Sequence, residues 1–187
     1  SKPKFSKAEP EFVEAKNIKK GDFLLFPKIK PPVNKKLEEK FSDELLTILG
    51  YYLAEGNPNL VAGKYKAISF SFHQDEKELH DELRDCLTKE FGQNGSIYYE
   101  EKKHSATILI YSNDLYDLCI EHCGKGSATK ELSSEIMNLS NDKVFKLVDS
   151  YFKGDGNICY RYAEKKKSKM IRVCTVSETL IFQIQEN

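Results

Sequence analysis

Two segments one hundred positions apart set the tightest limit on how this chain folds: ILGYYLAEGN at 48–57 and VDSYFKGDGN at 148–157. Both end in a small residue, an acid, Gly and Asn. Within each, small residues recur four apart, Gly50 and Ala54 in the first copy and Ser150 and Gly154 in the second. Positions four apart share one helix face, so two such helices can approach backbone to backbone through those four residues. Close approach at the helix ends brings Glu55 and Asp155 together.

Two carboxylates held a few ångströms apart resist joint ionisation unless a cation lies between them. Carboxylate and backbone carbonyl oxygens suit a hard divalent ion, so Glu55 and Asp155, with the carbonyls of Gly56 and Gly156, form a candidate Mg2+ (or other divalent cation) site.

The surrounding pattern repeats as well. After Ser42, which can cap, Leu45, Leu46, Leu49, Tyr52 and Leu53 fall at helical spacing up to Gly56. Ile68, Phe70 and Phe72 then alternate with Ser69, Ser71 and His73, as in a strand with one buried face. Asp75 and Glu78 resemble a capping box opening a helix whose Leu79, Leu83, Leu87 and Phe91 form one stripe. Strands are expected over 96–101 and 105–111, and a helix over 113–122. Near Asn141 the series begins again: a helix through Phe152 capped by Asn141, alternating stretches at 158–163 and 169–175, and Ser177 as the cap of a last helix. Residues 11–27 read as two short strands about Lys20-Gly21-Asp22, and 28–40, interrupted by Pro31 and Pro32, as a charged linker.

These paired motifs and the elements around them resemble the LAGLIDADG homing endonucleases. The resemblance implies an α+β fold of two αββαββα repeats related by a pseudo-twofold axis, saddled over double-stranded DNA. It assigns a β segment and linker to 1–40, a first repeat to 41–140, and a second, partial repeat to 141–187, since only thirty-one residues follow Gly156. It implies that Glu55 and Asp155 bind Mg2+ and that phosphodiester cleavage leaves short 3′ overhangs. It also implies that a basic residue after the third helix of the repeat, here Lys130 with Lys125 as the fallback, serves catalysis. A sheet along the major groove presents alternate side chains to base edges, which nominates Ser69, Ser71, His73, Tyr98 and Thr107, and Arg161 and Arg172 in the second half. Lys165, Lys166, Lys167 and Lys169 suit phosphates. Residues 11–27 further resemble the part of an intein splicing domain that precedes an inserted nuclease. A DNA-binding module without catalysis and a protein-splicing remnant remain alternatives.

The formal net charge is zero, with an excess of three positive charges over 157–187, five over 1–40, and a compensating acidic middle. A neutral total is unusual for a nucleic-acid binder, and the acidic middle counts against DNA binding while holding the carboxylates that a metal site needs. No apolar run approaches the ~20 residues of a membrane span, so an intracellular protein, cytoplasmic or nuclear, is expected, and two motifs in one chain argue for a monomer with internal pseudo-symmetry, with self-association through the partial second half as the alternative. Five cysteines without a C-x-x-C pair argue for reduced thiols, and Cys119, His122 and Cys123 lack the second pair that a structural zinc site uses.

Overall fold

The computed structural model describes residues 12–22, 34–163 and 166–186, with side chains at 159–169, 171 and 186 outside the described set. The chain divides into two compact units, residues 1–30 and 31–187.

In the first unit the expected pair of strands is not found among the described residues. Ala15–Asn17 form a single 3-10 turn instead. The expected turn does form. Asp22 donates its backbone N–H to the Lys19 carbonyl (3.1 Å), and its carboxylate accepts from the Lys19 N–H (2.7 Å), with Gly21 at φ +112°. This side-chain bond favours a local turn over a ladder. Residues 23–27 lie outside the described set.

The second unit begins with a helix where a linker was expected. Asn34 caps α1 (Lys35–Lys40), accepting from the Leu37 N–H. There follow α2 (Asp43–Glu55), β1 (Gly56–Val61), β2 (Tyr65–His73), α3 (Lys77–Phe91), β3 (Ser96–Glu100), β4 (Ser105–Tyr111), α4 (Asn113–Cys123) and the single turn α5 (Ser134–Met137). The second series is α6 (Asn141–Asp155), β5 (Gly156–Ala163), β6 (Lys166–Val173) and α7 (Glu178–Glu186). The first sheet is antiparallel in the order β1-β2-β4-β3, and β5 and β6 form a hairpin of their own. This is the α+β architecture expected.

Local chemistry explains most boundaries. Ser42 Oγ accepts from the Leu45 N–H at 2.9 Å and Ser177 Oγ from the Leu180 N–H at 3.2 Å, both as N-caps. Two expected caps differ. The Asp75 and Glu78 box does not form, because the chain leaves β2 in a tight turn in which the Glu76 carboxylate accepts from the His73 N–H (2.8 Å) and Glu76 itself becomes the N-cap. Ser140 rather than Asn141 precedes α6, and its side chain makes no capping bond.

Helix α2 is buried nearly all round, from Leu45 to Leu53, because it is the central element. Phe70 and Phe72 of the sheet, Leu83 and Leu87 of α3 and Leu115 of α4 share its core, and α6 lies along it. Helix α6 is one-sided, burying Val144, Leu147, Ser150 and Tyr151. The two repeats therefore share one core.

The small residues sit where the sequence places them. A Cβ on Gly50 would overlap Ser150 Oγ and the Leu147 carbonyl, and a Cβ on Gly154 would lie 2.5 Å from Ala54 Cβ. Gly50→Ala gains up to ~1 kcal/mol in helix propensity, but the obstructing carbonyl is backbone and moves only with its helix. We expect a net loss of roughly 2 kcal/mol by urea denaturation, and a variant as stable as the parent would refute the close helix pair. No helix among the described residues is long and apolar enough to cross a membrane.

Candidate active site and sheet surface

Helices α2 and α6 both pass directly into strands, with no residue between Glu55 and Gly56 or between Asp155 and Gly156. The two glycines have ordinary extended backbone, φ −85° and −84°. Their need for hydrogen in place of Cβ is steric, since a side chain would strike Tyr52 or the Phe152 carbonyl of the helix just ended. The acids thus terminate two abutting helices, and Glu55 Cγ would lie only 3.3 Å from a Cβ on Gly154.

The electrostatics match that placement. Burial, then the Asp155 and Glu76 carboxylates, push Glu55 up to about 7, with Lys130 partly opposing. Burial also raises Asp155, again against Lys130. The site disfavours two bare negative charges, the condition that a divalent cation relieves.

This raised Glu55 fixes a sign. The folded metal-free chain holds the proton more tightly than the unfolded chain, whose carboxyl titrates near 4.5. The resulting stabilisation is complete below that value and is lost as pH rises through about 7. Any cation binding here competes with that proton. Its apparent affinity should be roughly tenfold weaker at pH 6 than at pH 8, and titration calorimetry with Mg2+ at the two values checks this. Equal affinities would remove Glu55 from the site.

Lys130 is 6% exposed. Its ammonium donates to the carbonyls of Tyr52 (2.7 Å), Leu53 (3.0 Å) and Gly56 (3.0 Å) and lies 4.9 Å from the centre of the Tyr52 ring. All three N–H groups are used, and burial lowers its pKa. It closes the end of α2, adding a charged donor to carbonyls of the last turn, of which that of Tyr52 also accepts from the Gly56 N–H. The Gly56 carbonyl, nominated for a metal, is engaged by this lysine. Lys125 is exposed. The Lys130 carbonyl accepts from Ser177 Oγ at 2.6 Å, so the residue also ties α7 to the first repeat. Beside it a cavity of about 260 Å³ opens among Leu53, Ala54, Ser127, Lys130, Asp155, Cys174, Thr175 and Val176.

The nominated sheet residues of the first half share one surface. Ser71 is opposite Thr107, and Thr107 opposite Tyr98, while His73 is opposite Ser105 and Ser69 opposite Leu109. The intervening Phe70, Phe72 and Ile108 are buried. Sequence reasoning assigned no role to Asn57 and Asn59, which the register adds to this surface. The Asn59 amide donates to Ser69 Oγ (2.8 Å), and the Asn57 amide donates to Asn59 Oδ1 (3.0 Å). The signal was available, for Asn closes both motif copies. Among the described residues this surface carries no Lys or Arg; the strand lysine Lys66 is on the opposite side, paired with Asp117 of α4. In the second half Arg172 is exposed and lies opposite Asn157. Arg161, Lys166, Lys167 and Lys169 belong to strands β5 and β6, with side chains outside the described set, and Lys165 lies outside it altogether.

Residues 42–124 match the family model of the LAGLIDADG-like domain. The matched part ends its first helix in Glu55, and the α6 copy, beyond the match, ends in Asp155. The chain is 36% identical over 182 residues to iron-sulfur cluster assembly SufBD family proteins of Mycobacterium tuberculosis and Mycobacterium bovis, covering 97% of this chain and 21% of each relative. It is 32% identical over 115 residues to the DNA polymerase II large subunit of Thermococcus kodakarensis, covering 60% of this chain and 6% of that one. The chain therefore spans about a fifth of the length of its mycobacterial relatives. Among solved structures, the I-LtrWI LAGLIDADG homing endonuclease bound to target DNA matches 70% of this chain and 65% of its own, with TM-score 0.38 and 12% identity.

Proposed function

We propose that this chain is the nuclease region of a homing endonuclease, cleaving double-stranded DNA at a specific site with a divalent cation held by Glu55 and Asp155. The observation that carries this reading is the delivery of both acids to the ends of two helices in close backbone contact. When bound, Mg2+ would supply charge stabilisation and activation of water for phosphodiester hydrolysis. The chain's own groups do the rest. Glu55 and Asp155 would supply ligand oxygens from abutting helix ends, and Lys130 fixes the helix end from which Glu55 projects. That makes Lys130 a positioning residue, in place of the catalytic role expected from the resemblance. Asn57, Ser69, Ser71, Thr107 and Tyr98 offer neutral donors and acceptors to base edges, while the second hairpin's Lys165, Lys166 and Lys167 supply charge for phosphates.

Incubation with a library of randomised duplexes and Mg2+, followed by sequencing of the ends produced, tests the reading. Cut duplexes with short 3′ overhangs that vanish with a chelator are expected. Retention of particular duplexes on the protein without any metal-dependent ends would establish a binding module in its place.

A second element of the proposal is that this nuclease region travels within inteins. Matching segments occur as a fifth of SufBD family proteins and a small part of a DNA polymerase subunit. Proteins with such different names share this segment most simply if it is an insert whose work is separate from theirs. Mass spectrometry of the expressed full-length mycobacterial relative should find flanking segments joined by a peptide bond, without the matching segment. A product that keeps the segment in line would overturn that origin.

A further inference from the structure

We propose that Glu121, His122 and Glu135 form a second metal site, separate from the paired acids, for a borderline transition-metal dication such as Zn2+. His122 ends α4 and is 1% exposed. Its Nδ1 lies 2.9 Å from Ser133 Oγ, yet its buried Nε2 has no hydrogen-bond partner. Leaving a buried polar nitrogen unsatisfied is costly, and an ion is one of the few things that repays it. With the proton on Nδ1, donated to Ser133 Oγ, Nε2 presents a lone pair, the tautomer control typical of metal-binding histidines.

Two carboxylates flank this ring. Glu121 Oε1 is 3.8 Å from Nε2 and Glu135 Oε2 is 3.9 Å from Nδ1, and one ligand atom from each of the three residues lies within 4.8 Å of the other two. Ligand atoms around a zinc ion at about 2.0–2.1 Å are roughly 3.3–3.5 Å apart. Convergence on Nε2 asks Glu121 to close in and Glu135 to swing across from the Nδ1 side of the ring, and both side chains, 62% and 41% exposed, face solvent. The Lys40 ammonium lies 2.5 Å from Glu135 Oε2, a cation where part of a dication's charge would sit. That exposed pair contributes little, so a metal can displace it. One imidazole with two carboxylates selects zinc, cobalt or manganese over calcium. Cys119 and Cys123, grouped with His122 by spacing, are wholly buried in the core.

The placement suggests what the ion does. Glu131 and Ser133 return to the end of α4, donating their N–H groups to the Cys123 (3.1 Å) and His122 (2.9 Å) carbonyls. An ion linking Glu121 and His122 to Glu135 clips both ends of the segment that carries Lys130, stiffening the support of α2.

The test is a Co2+ titration of the full, chelator-stripped chain in excess Mg2+, read by visible absorption. One Co2+ per chain is expected, with ligand-field bands, no thiolate charge-transfer band, and displacement by Zn2+. Glu55→Gln/Asp155→Asn should leave this binding intact, Glu121→Gln/Glu135→Gln should weaken it at least roughly tenfold, and Lys40→Met should tighten it. His122→Gln should abolish it, and because His122 is buried, the two exposed glutamates carry the test if that variant does not fold. Failure to bind at about 100 μM Co2+, a thiolate band, unchanged affinity in the double glutamine variant, or loss in the Glu55 and Asp155 variant would overturn the proposal.

Discussion

Glu55→Gln and Asp155→Asn should each lower Mg2+-dependent DNA cleavage by at least about a thousandfold, or about 4 kcal/mol of transition-state stabilisation, with duplex binding retained. Each replacement keeps shape and removes one negative oxygen, so a cation held between the acids loses a ligand charge while the sheet surface is untouched. The metal-free proteins should respond the other way. Burial pushes both carboxyls up, and the Asp155 and Glu76 carboxylates add to the rise at Glu55, so a neutral amide relieves a cost, and both variants should be slightly more stable than the parent above pH 7 without metal. Thermal denaturation with and without Mg2+ reads this directly: the cation raises the parent's midpoint and leaves the double variant's unchanged. A variant that cleaves at the parental rate would end the nuclease proposal.

Lys130→Met is expected to cost roughly 3–5 kcal/mol of folding stability, a large part of the ~5–15 kcal/mol typical of a domain. Three carbonyls at the buried end of α2 lose a charged donor at once, and a thioether returns nothing to them. Lys130→Arg should rescue only partly, because a planar guanidinium cannot direct three N–H groups to one cluster of carbonyls as an ammonium does. Urea denaturation measures the loss. Hydrogen exchange at the amides of Glu55 and Gly56 localises it. Unchanged stability with lost cleavage would return Lys130 to the catalytic role expected from the resemblance.

How much of this was legible beforehand depends on the range of the interactions involved. The helix pair and its acids could be read because the constraint is local and doubled: small residues four apart, an acid and a glycine, written twice. The strand surface could be read because Phe70 and Phe72 alternate with Ser69 and Ser71. What escaped depends on distant partners. Nothing near Lys130 in sequence says that it turns inward to the end of α2, more than seventy residues back. The Asp75 and Glu78 signature was sound as local chemistry and lost to the tight exit from β2, where Glu76 binds the His73 amide. The orphan nitrogen of His122 is likewise visible only once the chain has folded back at Ser133.

Direct passage of α2 into β1 places Asn57 two residues after Glu55, and a strand advances only ~3.3 Å per residue. On the proposed nuclease function, the ruler between the bond to be broken and the nearest base that Asn57 could touch would then be covalent and very short. Attempts to retarget such a protein should meet a gradient of tolerance. Changes at Tyr98, on an outer strand, should alter preference at little cost in rate, whereas changes at Asn57 should disturb reading and cutting together.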